Sequence, residues 1–84
     1  MLFRSLPKSG DATFNGLRAT INADYLANAA LYGNASIIDL AGDPQMGVDD
    51  SYTLYPSLWT DTVHPSAAGH VILEAIARPV LNAI

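Results

Sequence analysis

"WTDTVHPSAAGHVILEAIA", residues 59–77, sets an acid three residues before a histidine, a proline directly after it, and a serine at the head of an alanine-rich apolar run. Ser66 reads as a helix cap. Behind it Ala68, Ile72, Ala75, Ile76 and Val80 line one side of a helix, whose end Pro79 disturbs. Pro65 biases His64 toward an extended backbone. Asp61 and His64 thus share a turn immediately ahead of a helix. The two ends of such a turn lie within about 7 Å, close enough for the side chains to meet.

Working outward, "ASIIDL" (35–40) is a short apolar run before "AGDP" and predicts a buried strand. Between it and the Asp–His turn, residues 41–63 show no clear period. They carry Gly42, Pro44, Gly47 and Pro56 together with Tyr52, Tyr55 and Trp59. A loop this long is uncommon in a compact domain unless it has a task. Within residues 12–32, Phe14, Leu17, Ile21, Tyr25 and Tyr32 recur at helical steps and predict a core-facing helix. Asp11 is placed as its N-cap and Gly33 as its C-terminal stop. "LFRSL" (2–6), ended by Pro7, predicts a first strand, and "PKSG" a turn. The order is strand, helix, strand, long loop, helix, and the first three elements make a βαβ unit with a right-handed crossover. Two parallel strands alone are a poor sheet, because parallel sheets are buried on both faces. The 84 residues therefore read as part of a larger α/β domain rather than as several domains.

Composition narrows the partners. Half of the residues are hydrophobic, which excludes a disordered acidic tail. The net charge is −4, and Arg4, Lys8, Arg18 and Arg78 are scattered. No basic patch exists to hold a phosphate backbone or an anionic membrane, so no nucleic-acid partner is expected. No apolar run approaches the roughly 18 residues of a membrane span. "MLFRSLPKSG" is too short and too soon interrupted for a signal peptide. There is no cysteine, hence no disulfide.

The chemistry concentrates at Asp61 and His64. A histidine acting as general base needs its second ring nitrogen held by an acceptor, and a carboxylate both fixes the tautomer and stabilises the imidazolium. The plain alternative is a turn capped by Asp61 with an exposed histidine. His70 added to the pair would still leave a metal site short of a third firm ligand. Asp43, Asp49 and Asp50 lack calcium-loop spacing and read as solvated charges. Asp39 ends a strand and reads as a loop cap. Trp59 either lines a pocket or packs the loop, and packing is expected for Tyr52 and Tyr55.

The segment from "IIDLAGDPQMG" to "WTDTVHPSAAGHVILEAIA" resembles the C-terminal end of the SGNH hydrolases, the GDSL family of esterases and lipases. Those enzymes finish with a strand ending in Asp-Leu, a variable loop, Asp-x-x-His-Pro, a small-residue run with Gly, and a terminal helix. Here these are "DTVHP" and Gly69, and the upstream strand and helix extend the likeness over nearly the whole chain. The resemblance implies the C-terminal part of a three-layer α/β/α flavodoxin-like sandwich over residues 1–84. It implies His64 as general base and Asp61 as its orienting acid, acting on an ester substrate in the complete enzyme, with no cofactor and no metal. Substrates in the family include lipids, acetylated sugars and thioesters.

The family's nucleophile stands in a Gly-Asp-Ser block, and further blocks give a Gly and an Asn to the oxyanion hole. None is present in this sequence. "SGDA" (9–12) has Ala12 where the serine belongs. Ser5, Ser9, Ser36, Ser51, Ser57 and Ser66 all lack the strand-to-helix turn of such a nucleophile. The expectation is therefore half of a catalytic machine, inactive alone, that pairs with the missing N-terminal part or with itself. Two rivals stand beside it. One is a non-enzymatic α/β module that associates with another chain through its open sheet edge. The other is a free-standing small protein with an idle Asp–His pair.

Overall fold

The computed structural model of the chain describes residues 2–32 and 36–83. Strands β1 (Leu2–Arg4) and β2 (Ile37–Asp39) pair in parallel, with Phe3 opposite Ile38 and Arg4 opposite Asp39. Helix α1 (Ala12–Asn28) joins them and tightens into a 3-10 turn over Ala29–Tyr32. After β2 come a 3-10 turn at Leu40–Gly42, the single helical turn α2 (Ser51–Leu54), another 3-10 turn at Pro56–Leu58, and α3 (Ala67–Asn82). The strand-helix-strand-loop-helix order is present, and the chain is a mixed α/β protein built on a two-stranded parallel sheet. The expected stop at Gly33 and the start of the 35–40 strand lie outside the described residues.

Both strands are shorter than the apolar runs suggested, and at β1 the reason is visible in α1. The Asn22 carboxamide accepts from Ser5 N (2.7 Å) and donates to Ser5 O (3.0 Å). Asn15 does the same to Lys8, at 2.9 Å in both directions. A carboxamide offers the donor and acceptor of a peptide group, so these side chains pair the backbone after Arg4 as a neighbouring strand would. Between them Arg18 donates to Ser5 O (2.8 Å), Gly47 O (3.2 Å) and Asp49 Oδ1 (2.6 Å).

This inverts the expected orientation of α1. Asn15, Arg18 and Asn22, at steps of three and four, form its buried face. Phe14, Leu17 and Ile21, predicted as core, are 43%, 64% and 48% exposed. Asn15 and Asn22, each matched to a backbone donor and acceptor, and Arg18, bonded to two carbonyls and a carboxylate, outcompete an apolar stripe that the described residues cover only in part. The cap at Asp11 is as predicted, accepting from Phe14 N at 2.9 Å. Gly10, at φ 80°, makes the turn before it in a conformation other residues resist.

The core gathers around the long loop. Ile38, Met46, Ser51 and Trp59 are its buried members, and Trp59 therefore packs rather than lining an open pocket. Asp43 Oδ2 caps Gln45 N (3.0 Å) and Met46 N (2.7 Å). Asp49, read as a solvated loop charge, is exposed and also pairs with Arg18 at 2.6 Å. Asp39 caps Gly42 N (2.9 Å) and pairs with Arg4 (2.7 Å), in keeping with a loop cap. On α3, Ile72, Ile76 and Val80 are half-buried, while Ala68 and Ala75 face outward. Pro79 does not end α3, which runs through to Asn82. Pro79 and Ala75, whose carbonyl loses its helical partner, both lie on the exposed side. No helix among the described residues is long and apolar enough to cross a membrane.

Candidate active site

The Asp–His pair rides on a small closed turn. Trp59 and Pro65 form an antiparallel bridge at its base. Above them Thr60 grips the His64 carbonyl twice, through its amide (2.8 Å) and its hydroxyl (2.9 Å). At the tip Asp61 Oδ1 accepts from Val63 N (2.8 Å) and His64 N (2.7 Å). Asp61 Oδ2 lies 2.9 Å from His64 Nδ1. The turn-capping role and the imidazole-holding role, alternatives on sequence alone, are thus filled by one carboxylate. Its pKa is lowered from 3.8 to about 2, chiefly by the Val63 and His64 amides and then by the imidazole.

The turn is fastened to α3. Ser66 N donates to Leu58 O (2.9 Å), Ser66 Oγ donates to Ser57 O (2.7 Å), and Ser66 Oγ caps Gly69 N (3.2 Å). A Cβ on Gly69 would stand 2.2 Å from Leu58 O. The glycine in "HPSAAG" is therefore a packing requirement: any side chain there would push α3 off the segment leading into the turn.

Chemically, the pair is an accessible base. An Nδ1–H donated to Asp61 leaves the lone pair on Nε2, and the His64 side chain is 74% exposed. The described residues bring no serine hydroxyl to His64 by a hydrogen bond. Ser51 and Ser9 are buried, and Ser66 is spent as a cap. His70 does not join Asp61 and His64; it lines a separate apolar groove of about 490 Å³ with Phe3, Leu40, Ala67, Val71 and Glu74. Among the described residues no group of three or more histidines or acids could hold a metal ion.

Thr60 and the Leu58 carbonyl were not singled out by sequence. A signal existed for Thr60: a residue just before Asp-x-x-His must face the histidine's own carbonyl if the turn closes. No protein-family model, curated protein or solved structure matches the chain.

Proposed function

We propose that the chain is the C-terminal segment of a serine ester hydrolase of the SGNH (GDSL) type, within an α/β/α sandwich, and that it supplies His64 as general base and Asp61 as its orienting acid. The observation that carries this reading is the 2.9 Å contact between Asp61 Oδ2 and Nδ1 of an exposed histidine on a braced turn. In the complete enzyme, His64 Nε2 takes the proton of a serine hydroxyl as its oxygen attacks the ester carbonyl. His64 then returns the proton to the leaving alcohol, and a water repeats the sequence on the acyl-enzyme. Asp61 holds the tautomer throughout. Nucleophile and oxyanion donors come from the part of the domain that this sequence lacks.

The isolated chain is therefore inactive toward p-nitrophenyl acetate, beside a His64→Ala control. Hydrolysis above the control by about a hundredfold, the scale of a working general base, would overturn the reading. In a parent restored with a Gly-Asp-Ser block, a fluorophosphonate labels the serine. There His64→Ala nearly abolishes turnover, and Asp61→Asn impairs it equally or less.

A second reading has its own observation. Phe3, in a strand paired on one side, is 51% exposed beside the apolar groove, which suits a non-enzymatic module that pairs with another chain through its open edge. An upstream-extended form that takes up no fluorophosphonate favours this module.

A further inference from the structure

We infer that Ser51 is a positioning residue for His64, its buried hydroxyl locking Trp59 and, through Trp59, the turn that presents the imidazole. Ser51 is fully buried and distant in sequence from the pair. Its Oγ accepts the indole N–H of Trp59 at 2.8 Å and donates to Gln45 O at 2.7 Å. A buried hydroxyl is costly unless bonded, and here both of its roles are used. Trp59 is itself 5% exposed and bridges Pro65, the residue after His64. Thr60, the next residue, holds the His64 carbonyl.

The turn above this base is exposed: Val63 is 53% and the His64 side chain 74% accessible. Among the described residues, the groups bonded to His64, on Thr60 and Asp61, belong to exposed residues themselves. Its backbone position is inherited from Trp59 below, and Trp59 is fixed polar end first by Ser51. A working base must be held within about 0.5 Å of its productive place by groups that are themselves locked. Serine suits the site, being small enough to vanish there while offering both a donor and an acceptor. Alanine would fit the space but leave the indole N–H and the Gln45 carbonyl unpaired.

The inference depends on the hydrolase reading only for the purpose of the turn, so its test uses no activity. In a stabilising osmolyte, 15N shifts of the neutral imidazole report the His64 tautomer, and hydrogen exchange reports the turn. The wild-type chain should hold His64 in the Nδ1–H form. The Trp59 indole N–H and the Thr60 and Ser66 amides should share one level of protection. Ser51→Ala and Trp59→Phe should each speed exchange at Thr60 and Ser66 about tenfold, as loss of one buried hydrogen bond implies. Each should also shift His64 toward the Nε2–H form. Folded variants with unchanged tautomer and exchange would overturn the inference. So would a wild-type chain without the Nδ1–H preference. If neither variant folds, the wild-type comparison decides alone: an indole N–H exchanging freely while those amides stay protected would show that the turn does not depend on Ser51.

Discussion

Asp61 closes the turn with Oδ1 and meets the imidazole Nδ1 with both oxygens, 2.9 Å from Oδ2 and 3.1 Å from Oδ1, and the two tasks differ in weight. The amides of Val63 and His64 lower its pKa more than the imidazole does. Because the folded value, about 2, lies below the ordinary 3.8, ionised Asp61 favours the folded turn above pH 3.8, and this contribution disappears as pH falls through about 2. A carboxyl 13C titration should find the wild-type midpoint near 2, and His64→Ala should raise it only modestly because both amide bonds remain. A wild-type midpoint at the ordinary value would mean that the turn is open in solution. Gly69 is the other decisive single residue. Gly69→Ala places a methyl 2.2 Å from the Leu58 carbonyl. It should cost about 1–3 kcal/mol, the range for overpacking a tight contact, read as a lower urea midpoint than wild type at the same protein concentration.

At the scale of elements, what the sequence revealed depended on how local its signal was. Asp11, Ser66 and the Asp61–His64 turn were legible because a cap or turn is decided by residues within four positions of each other. The buried face of α1 was not. Periodicity marks Phe14, Leu17 and Ile21 as a stripe, but it equally marks Asn15, Arg18 and Asn22, and hydropathy alone ranks the first as core. What reverses the order is long-range: the amide pairs of Ser5 and Lys8 and the carbonyl of Gly47 need partners, and α1 carries them. The Trp59–Ser51 bond was hidden for a similar reason, since nothing in sequence ties a serine to an indole eight positions later. The inverted helix gives a direct contrast. Asn22→Ala leaves the Ser5 N–H unpaired, while Ser5 O keeps its bond from Arg18, and should cost about 2 kcal/mol. Leu17→Ser, at a position 64% exposed, should change monomer stability by no more than about 0.5 kcal/mol. Chemical denaturation of the two variants measures the difference, and equal losses would restore the apolar stripe as core.

The whole molecule is a thin slab, 36 × 29 × 16 Å, with a radius of gyration of 13.0 Å. A compact chain of this length is expected near about 12 Å, and the excess reflects the flattened shape, which leaves large apolar side chains outside. Phe3 (51%), Leu17 (64%), Val71 (67%) and Leu31 (80%) are exposed, and Phe3 and Val71 meet in one groove. A parallel sheet is ordinarily covered on both faces and paired along its length. Here β1 and β2 pair only with each other among the described residues. Unpaired edges beside apolar patches recruit other chains, and a chain this short has little buried core with which to resist. The purified chain should therefore associate as its concentration rises and unfold over a broad, concentration-dependent transition. Phe3→Lys places a charge on the open strand and in the groove, and should raise the monomer fraction in sedimentation without disturbing the Asp61–His64 turn. A monomer at about tens of micromolar, the range where exposed edges begin to aggregate, with one sharp transition, would show that the slab closes its own surface. That result would favour a free-standing domain and weaken the case that His64 waits on a serine from the rest of a larger sheet.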